Sequence, residues 1–164
     1  MTLYDPRQCE LGEGPFWHPE RQQFFWFDIV NARLMSRSGS NALEWQFEDM
    51  VSAAGWTGHD TLLIASERRL LEFNVTTAAI ETVALLEDDN PTTRSNDGRA
   101  DPHGGFWIGT MGKNAEQDAG AIYRYYRGEL RTLFPTITIP NSICFAPDGS
   151  HGFFADSTSG RIMK

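Results

Sequence analysis

No apolar run in this 164-residue chain approaches the roughly 18 to 20 residues that a helix needs to cross a bilayer, so a helical membrane span is excluded. Cysteine is nearly absent. Cys9 and Cys144 are too few for a disulfide scaffold and read as reduced packing residues. Basic residues are also scarce: 14 Lys and Arg stand against 22 Asp and Glu, a net charge of −8. Affinity for nucleic acid comes from neutralising phosphates, so that partner is excluded too. The acidic residues, such as those at 87–89, are spread along loops, as on a solvated surface with some attraction for cations. No secretory leader is expected either. Met1-Thr2-Leu3-Tyr4-Asp5-Pro6 turns polar at once, without the basic and apolar blocks of a secretory signal, and a cytoplasmic location is expected.

What is present is a repeat. The phrases Trp17-His18-Pro19-Glu20, Thr57-Gly58-His59-Asp60, Asp101-Pro102-His103-Gly104 and Ala146-Pro147-Asp148-Gly149 recur at spacings of 40, 44 and 45 residues, the period of a propeller blade. Each phrase leads into a short apolar run, at 24–27, 62–65, 106–108 and 153–155. Third strands are expected at 33–37, 69–73, 121–125 and 161–164, and fourth strands at 43–47, 80–86 and 129–134. The last unit ends at Lys164 before a fourth strand. The expected fold class is therefore all-β, a β-propeller domain of which residues 1–164 supply about three and three-quarter blades. A propeller hides its sheet edges by closing its ring, so the open edges are expected to favour self-association.

Up-and-down sheets alternate their connections between two ends, which sorts the residues by face. His18, His59, His103 and His151 fall on the first-to-second turns at one end. Equivalent turns fan out around a ring, with no helical His pair and no Cys partner, so these imidazoles read as solvated turn residues rather than a zinc site. Glu13, Arg94, Asn96 and Asn141 fall at the opposite end, at the entrances of the innermost strands. Counted back from the turn phrases, Glu13, Asn96 and Asn141 occupy matching places, whereas the second unit offers only Ser52 or Ala53. One carboxylate with amide carbonyls suits a hard cation. A purely structural reading stands beside this one: Asn96-Asp97-Gly98 is a turn signal, Pro140-Asn141 a strand-entry turn, and Glu13 a loop carboxylate between glycines.

Five stretches carry a family likeness: Cys-Glu-Leu-Gly-Glu-Gly-Pro at 9–15, Arg-Ser-Asn-Asp-Gly-Arg-Ala-Asp-Pro at 94–102, Gly-Phe-Trp-Ile-Gly-Thr-Met at 105–111, Gly-Ala-Ile-Tyr-Arg at 120–124 and Pro-Asn-Ser at 140–142. Their order and wording resemble the regucalcin (senescence marker protein) and gluconolactonase family of sugar lactonases. The resemblance implies a six-bladed propeller, a single domain of which residues 1–164 are the N-terminal part, carrying one divalent metal in its channel, calcium or zinc, with magnesium or manganese as further candidates. It implies hydrolysis of a small-molecule sugar lactone to an aldonic acid. By position, Glu13 resembles the metal carboxylate and Asn141 a metal-binding amide. Asn96 resembles a residue reaching both metal and substrate, and Arg94 the substrate-binding arginine, with the insertion at 112–119 beside the pocket. A bound cation would polarise the lactone carbonyl and acidify a water. The family's general-base Asp is expected beyond Lys164, so no catalytic base is assigned in this chain. The alternatives are a non-catalytic metal- or ligand-binding propeller, or an inactive fragment of the lactonase.

Overall fold

In the computed structural model, which describes residues 2–164, each apolar run of the repeat becomes a β-strand. The first sheet holds β1 (Gly12–His18), β2 (Gln23–Asp28), β3 (Arg33–Ser38) and β4 (Asn41–Gln46). The second holds β5 (Val51–Trp56), β6 (Thr61–Ser66), β7 (Arg69–Asn74) and β8 (Ile80–Leu85). The third holds β9 (Thr93–Ala100), β10 (Phe106–Gly112), β11 (Gly120–Tyr126) and β12 (Glu129–Ile137). The fourth has three strands: β13 (Pro140–Phe145), β14 (Gly152–Asp156) and β15 (Arg161–Met163). Within each sheet, strands pair antiparallel in chain order. The first strands β1, β5, β9 and β13 touch in series, which makes the sheets consecutive propeller blades. Among the described residues no helix is long and apolar enough to cross a membrane.

The core lies between blades. Leu62 and Ile64 of β6 pack with Phe25, Phe27 and Leu34 of the first blade, whereas Leu63 and Ala65 pack with Phe106 and Ile108 of the third. A blade flanked on both sides buries both faces, which is why β6 reads as an unbroken apolar run without alternation. Ile122 and Ile137 meet Ile143 and Phe154 between the third and fourth blades. Fully burying each of the larger side chains contributes about 1.5–3 kcal/mol, and these layers hold one blade against the next.

All four inner strands contain a β-bulge. Gly14 and Pro15 fall between the Glu13–Phe27 and Phe16–Phe25 pairs, and Ser52 between Val51–Ser66 and Ala53–Ala65. Asn96 and Asp97 fall between Ser95–Thr110 and Gly98–Ile108, and Ser142 and Ile143 between Asn141–Ala155 and Cys144–Phe153. An extra residue in one strand bends it and re-aims the side chains beyond.

Three sequence expectations are corrected here. His18 is not a solvated turn residue: it closes β1 with 0% exposure, its Nε2 3.0 Å from the Gly58 carbonyl and its Nδ1 accepting the Arg21 N–H at 3.3 Å. His103 bridges similarly to the Gly149 carbonyl at 3.1 Å but stays exposed, as do His59 and His151. The reason is that one blade's turn packs on the next, where a ring nitrogen can bond a backbone carbonyl of the neighbouring turn. Glu87 is not merely a surface charge, since it accepts the hydroxyls of Thr93 (2.5 Å), Thr110 (2.8 Å) and Tyr123 (2.6 Å). Cys9 is half-buried, its Sγ 3.6 Å from Met35 Sδ, but Cys144 is exposed and packs nothing into the core.

Candidate functional site

Two buried carboxylates fix the segments that enter the first and fourth inner strands. Asp28, at the end of β2, accepts the Glu10 and Leu11 N–H groups at 3.1 Å, the Asn31 amide at 2.8 Å and Arg33 at 2.5 Å. Asp156, at the end of β14, accepts the Thr138 and Ile139 N–H groups at 3.2 Å. In each case the anchored amides lie three and two residues ahead of a candidate ligand, Glu13 or Asn141. Burial alone would raise both carboxyls. The hydrogen bonds overcome it, holding Asp28 at about 2 and Asp156 below the usual carboxylate range. Asp156 thus acts in positioning, in line with its place at the end of a second strand.

Glu13 is the second residue of β1, inside the strand rather than ahead of it. Gly14 follows at φ 57, and a Cβ there would collide with the Ser52 carbonyl oxygen and lie 2.9 Å from the Phe27 ring. Only glycine combines this left-handed turn with so close an approach of β1 to β5. The Glu13 carboxylate is exposed and, among the described residues, accepts no hydrogen bond. Together with Asp97 and Arg99 it lines a cavity of about 310 Å³ bounded by β1, β5 and β9.

Arg94, Asn96 and Asn141 form one hydrogen-bonded chain. Arg94 is 8% exposed, and its Nη1 donates to the Ser95 carbonyl and to Asn96 Oδ1, both at 2.9 Å. Asn96 Nδ2 donates to the Pro140 carbonyl at 2.9 Å and to Asn141 Oδ1 at 3.1 Å, and Asn141 Nδ2 donates to Ser157 Oγ at 2.8 Å. Burial pushes the Arg94 guanidinium down from its usual value, against the pull of the Glu13 and Glu67 carboxylates. The rest of its fork is without protein partners among the described residues.

Bulge pairing matches Ser95, rather than Asn96, with Glu13 and Asn141, and the Ser95 hydroxyl meets Ser52 Oγ at 2.7 Å. Asn96 reaches Asn141 from within the bulge. Glu13 does not touch the amides, and its cavity is lined by Asp97 and Arg99 rather than by Asn96 or Asn141; it acts on Arg94 through its charge. Sequence reasoning missed two acidic neighbours. Glu67 is buried and takes Lys113 Nζ at 2.5 Å, tying the 112–119 loop to the second blade. Asp97, hidden in sequence by its turn-like Asn-Asp-Gly setting, is raised by burial while accepting the Ile143 and Gly98 N–H groups.

One free carboxylate and two linked amides are an oxygen set, without thiolate or imidazole, and fit a hard cation. Each amide oxygen has two lone pairs, so the bonds it accepts here leave capacity for a cation. Among the described residues no three His, Cys, Asp or Glu side chains converge.

Residues 11–164 match the SMP-30/Gluconolactonase/LRE-like region. The chain belongs to this family. Among its relatives, the L-arabinolactonase of Azospirillum brasilense is 33% identical over 170 aligned positions, across 99% of this chain and 56% of that protein. Regucalcin of Homo sapiens is 26% identical over 166 positions, across 94% of this chain and 54% of its own length. The crystal structure of regucalcin from Agrobacterium tumefaciens strain C58, described as a calcium-binding protein, superposes with a TM-score of 0.94 at 40% identity. That match takes in 97% of this chain and 55% of the other. The chain spans about half the length of the curated relatives it matches.

Proposed function

We propose that these residues belong to a cytoplasmic, metal-dependent lactonase that hydrolyses sugar lactones to aldonic acids, and that they are the N-terminal part of one six-bladed propeller domain. The carrying observation is the linked Arg94–Asn96–Asn141 chain, with a Glu13 carboxylate that acts on Arg94 through its charge and, among the described residues, accepts no hydrogen bond. Glu13 and Asn141, with Asn96, would hold a divalent cation such as calcium, which would polarise the lactone carbonyl and acidify a water. Arg94 presents its unbonded N–H groups as a planar fork for sugar hydroxyls, and burial keeps that fork from competing water. Asn96 accepts from Arg94 and donates to Asn141, so it couples the substrate arm to the ligand set. Because the two amides are uncharged, the site would stay cationic enough to stabilise a developing oxyanion.

The test is hydrolysis of a panel of aldonolactones by a polypeptide that carries these residues in a complete ring of blades. Activity is expected to disappear with chelator and return with calcium. Glu13→Gln is expected to weaken calcium binding tenfold or more, a change on the order of 1.4 kcal/mol. Arg94→Ala should mainly raise KM. Hydrolysis unchanged after complete metal removal would overturn the proposal, and calcium binding without any lactone hydrolysis would favour a non-catalytic binding propeller.

A further inference from the structure

We propose that Asp97 is a positioning residue that fastens the bulge of β9 to the bulge of β13 and thereby sets the Asn96 and Asn141 amides at their mutual distance. The inference rests on the metal-site reading above and adds to it a residue outside the proposed ligand set, whose carboxylate is bonded to backbone N–H groups. Asp97 Oδ1 accepts the Gly98 N–H at 2.9 Å within its own bulge, and Oδ2 accepts the Ile143 N–H at 2.7 Å across the blade boundary. Ser142 and Ile143 are the two residues that follow Asn141, and Asn96 directly precedes Asp97. One carboxylate thus holds the backbone next to both amides.

Two further contacts concentrate the fastening at this point. Arg99 Nε donates to the Ile143 carbonyl at 3.2 Å, so the third blade holds both polar groups of one peptide segment in the fourth. Ser142 sits at φ 60, a region unfavourable for a residue with a Cβ, and the bond from the following N–H, that of Ile143, to Asp97 offsets that strain. The same Asn96 that precedes the carboxylate donates to the Pro140 carbonyl, closing the connection on the other side of Asn141. Replacing Asp97 by Asn preserves size but turns one acceptor oxygen toward a backbone N–H into a second donor, which breaks one of the two anchor bonds.

Calcium titration by calorimetry on the full-length protein, with unfolding temperatures measured in parallel, separates positioning from general stability. Asp101→Asn is the control. Asp101 accepts the His103 and Gly105 N–H groups at 2.9 and 2.8 Å at the opposite end of the blade and in addition holds Arg124 Nε at 2.5 Å and Trp107 Nε1 at 3.2 Å, so its replacement disturbs the fold at least as much as that of Asp97. Asp97→Asn is expected to weaken calcium affinity roughly tenfold, the scale of a lost outer-shell partner, while Asp101→Asn lowers the unfolding temperature with affinity held within about twofold. Unchanged affinity in Asp97→Asn overturns the inference, and so does a loss in both variants that follows their unfolding temperatures. If the unmodified protein binds no calcium, the site reading falls and this inference with it. Should Asp97→Asn fail to fold, amide exchange of Ile143 in the unmodified protein provides the answer. By linkage it should slow on calcium saturation, and exchange unaffected by calcium overturns the proposal.

Discussion

Asp28 and Asp156 do the same work in two blades, each gripping the two amides that lead toward a candidate ligand. For Asp28, burial raises the carboxyl and its four hydrogen bonds more than reverse this, from 3.8 to about 2. A carboxyl depressed in the fold contributes stability that is complete above its unfolded value and is lost as pH falls through its folded value. Asp28→Asn should therefore cost on the order of 2 kcal/mol at neutral pH, with the gap to the unmodified chain closing between about pH 4 and pH 2. Denaturant unfolding of both proteins across that range checks it; a gap independent of pH would contradict it. The position of Glu13, Arg94, Asn96 and Asn141 on inner strands was legible in the sequence because the repeat fixes which strand each belongs to, but the register was not, since Ser95 rather than Asn96 matches Glu13 and Asn141. The duties of Asp28, Glu67 and Asp97 were not, since their partners are backbone amides or side chains brought close only by the fold. His18 was misread for the same reason: a turn residue is solvated only if no neighbouring turn covers it.

At the scale of elements, the strands were almost fully legible and the bulges were not. Apolar runs and turn phrases mark β2, β6, β10 and β14 within one to four residues at either end. A bulge leaves no compositional mark, because it is one surplus residue in an otherwise ordinary strand. What it requires of its neighbours is visible in the fold. Gly109 stands opposite the Asn96–Asp97 bulge, and a Cβ on it would lie 2.6 Å from Pro140 Cγ. Gly109→Ala should drive β13 away from β10 at a cost of about 1–3 kcal/mol, the scale of overpacking, and stretch the Asn96–Asn141 contact. Chemical denaturation would register the first effect and calcium titration the second.

Seen whole, the molecule is a series of blades held by apolar layers, with an acidic excess of eight charges over its surface and its candidate ligands on inner strands. The fold class was legible from the period alone, which no arrangement of isolated strands would produce. A cation bound only by the folded chain should stabilise the whole: at calcium one hundred times Kd the gain is about 2.7 kcal/mol, read as a rise of several degrees in unfolding temperature that chelator reverses. No shift with calcium would count against the site. The surplus residue in each inner strand bears on how such chains can diverge in length. Because side chains alternate, removing Pro15 or Ser142 would flip everything on one side of the gap, turning Glu13 or Asn141 away from the axis. Insertions and deletions are thus tolerable in turns such as 112–119, whereas the bulges are places where descendants of this chain can exchange residues but cannot lose one.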